Sequence, residues 1–237
     1  MTPNQVTAIR VAMAFAAVAV FWSSDTSGTL MYWAGGIGLA LIVAAIALDG
    51  VDGWLARRRN LATPLGSQID ILGDRIVENL FFTFFAVTRL VSLWVPVVFF
   101  ARGMLTDFLR GVAERAQRSS RDPTAFRRDW MLESAWGRAL VASRVSRAAY
   151  GAMKCICFCA LAAELTLARG SIESLVALPW RSAAAVCTQA LVGLTVGFCL
   201  LRALPVAWEA RATLASLAAS SHSRPRTESA TVSGARP

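Results

Sequence analysis

Four aspartates, Asp49, Asp52, Asp70 and Asp74, fall within one short stretch, Leu48 to Arg75, at the junction of two apolar segments. Helical geometry sorts them onto faces. Asp49, Asp52 (or Gly53) and Ala56 recur at i, i+3/i+4, i+7, while Gly66, Asp70 and Asp74 are each one turn from the next. Pro64, in the connection Leu61-Ala-Thr-Pro-Leu65, breaks the helix between the two sets and lets two helices fold back as neighbours. The four carboxylates then converge at one end of a helix pair. Like charges that close oppose one another's ionisation unless a cation neutralises them. Oxygen-only ligands select a hard ion, Mg²⁺ or Mn²⁺, and Mg²⁺ is usually held by carboxylates together with a substrate's phosphates. The stretch therefore predicts a metal site. The competing reading, a helix-capping and surface-charge cluster, fits poorly with the cost of such groups at a bilayer.

The elements that must position these carboxylates are apolar. Of 237 residues 56% are hydrophobic and only 16% charged, and the apolar residues fall in long blocks, as in a membrane protein. The length suits a single all-α bundle of six transmembrane helices with short loops. Residues 1–211 would form the membrane domain, and 212–237, rich in Ser, Thr, Arg and Pro, a disordered tail. The predicted spans are Val11 to Trp22 after an amphipathic start, Leu30 to Leu48, Ile69 to Val87, a fourth beginning after a tight turn near Arg89 to Ser92, Val145 to Leu167, and Arg181 to Pro205. A signal peptide is the alternative for the first. Glu78 and Asn79 lie within the third span and should face the bundle rather than lipid.

The net charge of +9 comes from 24 basic residues, of which only Lys154 is a lysine. The arginines occupy loops between apolar spans, at 57–59, 110–128 and 202–211, which points to positive-inside topology and contact with anionic lipid rather than to nucleic acid. Both termini and the aspartates then face the cytoplasm. Trp22, Trp33, Trp94, Trp180 and Trp208 fall near span boundaries, as in an aromatic belt. The five cysteines are odd in number and lie in apolar segments, and on a helix Cys157 points away from Cys155 and Cys159. They read as small apolar fillers, not a disulfide framework. His222, the single histidine, sits in the tail, which argues against histidine-based acid–base or zinc chemistry.

The motif Asp49-x-x-Asp52-Gly53-x-x-Ala56-Arg57, eight residues, then Gly66-x-x-x-Asp70-x-x-x-Asp74 resembles the full signature of the CDP-alcohol phosphotransferase (phosphatidyltransferase) family, with no fixed position departing from it. Pro3-Asn4-x-x-Thr7-x-x-Arg10 is similar to the interfacial start of many members. The resemblance implies an integral membrane enzyme of phospholipid biosynthesis: an alcohol displaces CMP from a CDP-linked lipid donor such as CDP-diacylglycerol and forms a phosphodiester. It implies two Mg²⁺ or Mn²⁺ ions on Asp49, Asp52, Asp70 and Asp74, with Asp74 as general base. It also implies contact of Asp52, Gly53, Ala56, Arg57 and Gly66 with the CDP donor. Gly53 and Ala56 are small enough for close approach of a nucleotide, and Arg57 can pair with phosphate; Arg58 and Arg59 read as a plain basic flank.

For the acceptor, Arg102 and Arg110 resemble an arginine pair of bacterial phosphatidylglycerophosphate synthases, although Gly103 stands where that group has glutamate. Arg138 stands in for the lysine of its Gly-Lys pair. Such arginines would suit an acceptor that already carries a phosphate, glycerol 3-phosphate or inositol phosphate, though a basic inner loop explains each of them equally. That likeness places the chain in a bacterial inner membrane, and a homodimer is compatible with it. An intramembrane prenyltransferase would need its two aspartate motifs on well-separated helices. A cation transporter would need carboxylates at mid-span on broken helices. Here both aspartate sets lie within one helix–loop–helix at a cytoplasmic edge.

Overall fold

The long apolar runs fold as helices, and no strand occurs among the described residues. The structure, a computed structural model, describes residues 3–23, 29–58, 64–119, 137–169 and 180–222. At the ends of several of these stretches, 49–58 included, only the backbone is described. The helices are α1 (Pro3–Ser23), α2 (Thr29–Arg58), α3 (Pro64–Val87), α4 (Trp94–Ser119), α5 (Arg144–Arg169) and α6 (Trp180–His222), with a π-helical turn, Arg138–Ala142, before α5. Both α1 and α3 begin on a proline, whose missing N–H costs nothing in a first turn.

Helix α1 packs on α2 and α3, α2 also meets α5, α3 meets α4, and α6 closes the bundle against α4 and α5. The centre is aromatic. Phe82 stacks between Phe99 and Phe158 at centroid distances of 4.3 and 4.8 Å, and Phe81 and Phe85 are fully buried beside them. Cys157 and Cys199 belong to this core as small apolar groups. Close helix approach depends on Gly38 of α2, where an added Cβ would run into the ring of Phe21 on α1. Phe15, Trp22, Trp33, Trp94, Trp180 and Trp208 are exposed, as lipid-facing residues and an aromatic belt would be.

Three described helices are long and apolar enough to cross a membrane: Asn4–Ser23, Val145–Ala168 and Trp180–Trp208. The apolar part of α2, Trp33–Leu48, is shorter. Helices α3 and α4 do not qualify by composition, because α3 carries Asp70, Asp74, Arg75 and Glu78 and α4 carries Arg102, Asp107 and Arg110.

The turn expected near Arg89 to Ser92 is there. Arg89 has φ 62°, Leu90 N–H donates to Phe85 O at 3.0 Å and Arg89 N–H to Ala86 O at 3.0 Å. Together these bonds form a Schellman cap in which the left-handed residue is an arginine instead of glycine. Gln189 Nε2 of α6 then donates to Leu90 O at 2.7 Å and ties the turn to the last helix.

Two boundaries differ from the sequence expectation. The loop anticipated from Arg110 begins as helix, since α4 continues to Ser119. The tail anticipated as disordered from 212 also begins as helix: α6 runs through Pro205 and past Arg211 to His222. Composition marked both stretches as polar, but the good helix formers Ala, Leu, Arg and Glu dominate 206–217 and carry the helix on. Residues 120–136, 170–179 and 223–237, including Asp122-Pro123, lie outside the described residues.

Candidate active site

Helix α3 supplies the two carboxylates of the site whose side chains are described. Asp70 and Asp74, one turn apart, are 46% and 48% exposed. Each faces the guanidinium of Arg10 from α1. Arg10 Nη1 lies 3.0 Å from Asp74 Oδ1, and Nη2 lies 3.5 Å from Asp70 Oδ1 and 3.4 Å from the Asp70 backbone carbonyl. The arginine itself is only 2% exposed. It reaches this position because Gly73 sits between the two aspartates. A Cβ there would stand 2.8 Å from Arg10 Nη2 and 2.6 Å from Thr7 Cγ2, so any side chain would push the guanidinium away. The Thr7 and Arg10 of the amino-terminal motif are thus buried against the acidic helix. The sequence placed Arg10 at an interface and did not anticipate this pairing.

Asp49 and Asp52 lie on the last turns of α2, as do Gly53, Ala56 and Arg57, and their side chains lie outside the described residues. Gly66 lies on the first turn of α3, on the same row as Asp70 and Asp74. Among the described side chains no group of three or more His, Cys, Asp or Glu converges. The donor set still fits a hard divalent cation. Its described atoms are carboxylate oxygens, half open to solvent, although the guanidinium of Arg10 already pairs with both.

The acidic row continues one turn further, to Glu78, and its environment changes completely. Glu78 is 3% exposed and fully engaged. Its Oε2 accepts from Arg75 Nη1 at 3.2 Å; its Oε1 accepts from the Tyr150 hydroxyl at 3.4 Å and forms an ion pair with Lys154 Nζ at 3.3 Å. Arg75 also bonds Asp107 of α4 through Nε at 3.0 Å and Nη2 at 3.4 Å. The network thereby joins α3, α4 and α5. Glu78 faces the bundle as expected, and Asn79 turns back along its own helix, donating to Arg75 O at 2.8 Å. Gly103, the position where the resemblance called for glutamate, is where Arg75 passes: a Cβ there would sit 3.2 Å from Arg75 Cδ and Nε. Asp107, one turn on, provides the carboxylate instead.

Of the arginines expected to meet an acceptor, the side chain of Arg102 is described and those of Arg110 and Arg138 are not. Arg102 lies on α4, and its Nε is buried without a hydrogen-bond partner. Arg202 of α6 stands within electrostatic range of it, together with Arg147. Sequence reasoning counted Arg202 as part of an inner basic flank, but it is 6% exposed. Its Nη1 donates to Leu140 O at 2.8 Å and Ser146 Oγ at 2.6 Å, and its Nη2 to Val141 O at 3.3 Å. It therefore pins α6 to the π-helical turn that begins at Arg138, while its Nε, too, is buried and unpaired. An arginine inside the apolar run Trp180–Trp208 was the available signal.

The described residues thus form a helical bundle with half-exposed carboxylates on a buried arginine, and with Arg102 and Arg202, each with a buried and unpaired Nε, near one another. A model of the CDP-alcohol phosphatidyltransferase family matches residues 1–192, and the chain belongs to that family. Its members are CDP-alcohol phosphotransferases, so this chain is a membrane transferase of phospholipid biosynthesis. A search of curated proteins finds no match to it.

Proposed function

We propose that this enzyme moves a phosphatidyl group from a CDP-linked lipid donor such as CDP-diacylglycerol to an alcohol that already carries a phosphate, releasing CMP on the cytoplasmic side of a membrane crossed six times. The observation that carries the reading is the open pair Asp70 and Asp74, on a row whose third carboxylate is saturated. Asp49, Asp52, Asp70 and Asp74 would hold Mg²⁺ or Mn²⁺, two ions, and the metal would screen the diphosphate and stabilise charge on the departing CMP. Asp74 takes the proton from the acceptor hydroxyl. That oxygen forms its bond to the lipid-side phosphorus as the bond from phosphorus to the CMP oxygen breaks, and CMP leaves with the bridging oxygen. Gly53, Ala56 and Gly66 leave room for the nucleotide, and Arg57 pairs with its phosphate.

Six crossings are supported by the way α3 and α4 handle their charges. Arg75, Glu78, Asp107 and Lys154 pair with one another inside the bundle, so neither helix need show those charges to lipid. The acceptor's phosphate is supported by Arg102 and Arg202, two neighbouring guanidiniums with buried, unpaired Nε groups. An anion would relieve both. Glycerol 3-phosphate is the acceptor we favour, with inositol phosphate the alternative and Arg110 and Arg138 as further contacts.

Purified protein, supplied with CDP-diacylglycerol and Mg²⁺, should release CMP when glycerol 3-phosphate or inositol phosphate is added and far less with free glycerol, inositol or serine. Equal turnover with an unphosphorylated alcohol would refute the phosphate-bearing acceptor. No CMP with any acceptor would refute the donor.

A further inference from the structure

We infer that Arg10 is an internal counter-ion that keeps divalent metal off Asp70 and Asp74 until an anionic donor arrives, so that metal and donor load together. The inference rests on reading those two aspartates as metal ligands. Three features of the pairing lead to it. First, the guanidinium engages both carboxylates at once, 3.0 Å from Asp74 and 3.5 Å from Asp70, and so occupies lone pairs that a metal would use. Second, it is permanently charged, unlike a histidine or lysine that could shed its proton. Third, it has nowhere to withdraw. It is 2% exposed, it donates to the Asp70 backbone carbonyl, and it lies in the notch that Gly73 opens beside Thr7.

A dication arriving at this pair therefore meets a fixed positive charge, and like charges held close disfavour one another. A diphosphate arriving with it brings the compensating negative charge. Metal affinity should then be low in the empty enzyme and rise with nucleotide. By linkage, nucleotide affinity rises with metal by the same factor. Arg10 is in this account a positioning residue: it acts through Asp70 and Asp74 and takes no part in bond making.

The test is Mn²⁺ binding to purified protein, followed by electron paramagnetic resonance, with and without CDP as a soluble probe of the donor diphosphate. Metal bound directly to CDP contributes coupling in every variant, so the decisive quantities are differences from wild type. Arg10→Gln, which keeps a polar side chain and removes the charge, should bind Mn²⁺ about tenfold more tightly without nucleotide, within the usual range of coupling between sites. The tightening produced by CDP should shrink by a similar factor. Arg10→Lys, a point charge that cannot fork across both carboxylates, should fall between the two, and it carries the test by itself should Arg10→Gln fail to assemble. Unchanged or weaker nucleotide-free Mn²⁺ binding in these variants overturns the inference and leaves Arg10 a clamp between α1 and α3. Asp70→Asn in the same assay separates the two ideas. If it leaves Mn²⁺ binding intact, the metal-ligand reading fails, and this inference with it; if it abolishes binding, a failure of the Arg10 series counts against the inference alone.

Discussion

Asp74 and Glu78 stand one turn apart on the same row of α3, yet the first is half open and the second is enclosed. Asp74 shares one buried arginine with Asp70. Glu78 receives Arg75, Lys154 and Tyr150 and is locked to two other helices through them. The difference separates the part of an acidic row that stays accessible from the part committed to architecture. A carboxylate with oxygen lone pairs still open to solvent can accept a metal or a proton. One whose oxygens are all committed can only hold helices together. The 40° or so of rotation between positions i and i+4 turns the row gradually from α1 toward α4 and α5, so the same spacing reaches different partners at each step.

Removing the charge of Glu78 should break this contrast most severely. Glu78→Gln removes the negative charge that Arg75 and Lys154 share and leaves one acceptor oxygen for three donors, with Arg75 keeping only Asp107. Loss of one member of a buried pair typically costs about 3–5 kcal/mol. A large fall in the detergent melting temperature is expected, whereas Asp70→Asn, on the open part of the row, should melt close to wild type. Equal destabilisation by both would erase the distinction between the two regions.

Arg202→Gln sharpens the comparison on the acceptor side. It loses charge beside Arg102 while retaining a donor toward Leu140 and Ser146. The KM for a phosphorylated acceptor should rise, on the order of tenfold given the ~1.5–3 kcal/mol value of charged hydrogen bonds, with the KM for CDP-diacylglycerol little changed. A donor-specific defect would place Arg202 on the other substrate.

Arg89→Gly is the smallest expected effect. The left-handed φ of 62° costs a residue with Cβ roughly 1–2 kcal/mol, partly offset by the extra backbone entropy of glycine. Slight stabilisation, under about 1 kcal/mol, should appear in thermal unfolding, and activity should not change.

How much of this was legible in the sequence depends on the range of the contact. Local periodicity was enough to put Asp70 and Asp74 on one face, to turn Glu78 inward and to break the chain at Arg89 to Ser92. Apolar content was enough for an all-helical bundle. Partners sixty positions apart were beyond reach: nothing local in Thr7-x-x-Arg10 says that its arginine meets Asp74 of another helix. Arg202 misled for a related reason, since an arginine near the end of an apolar run reads as a flank whether it snorkels outward or turns in. The ends of α4 and α6 were placed too early because polar composition marks surface, and a helix can run on through a polar surface.

In the proposed reaction the open aspartates carry the chemistry, with Asp74 as the base. Asp74→Asn tests this most directly, because the amide keeps the shape of the side chain and loses its power to accept a proton. CMP release from CDP-diacylglycerol should fall about 10²–10⁴-fold, with Mn²⁺ and CDP still bound and no recovery at high Mn²⁺. Restoration of turnover by Mn²⁺, or release close to wild type, would contradict the assignment.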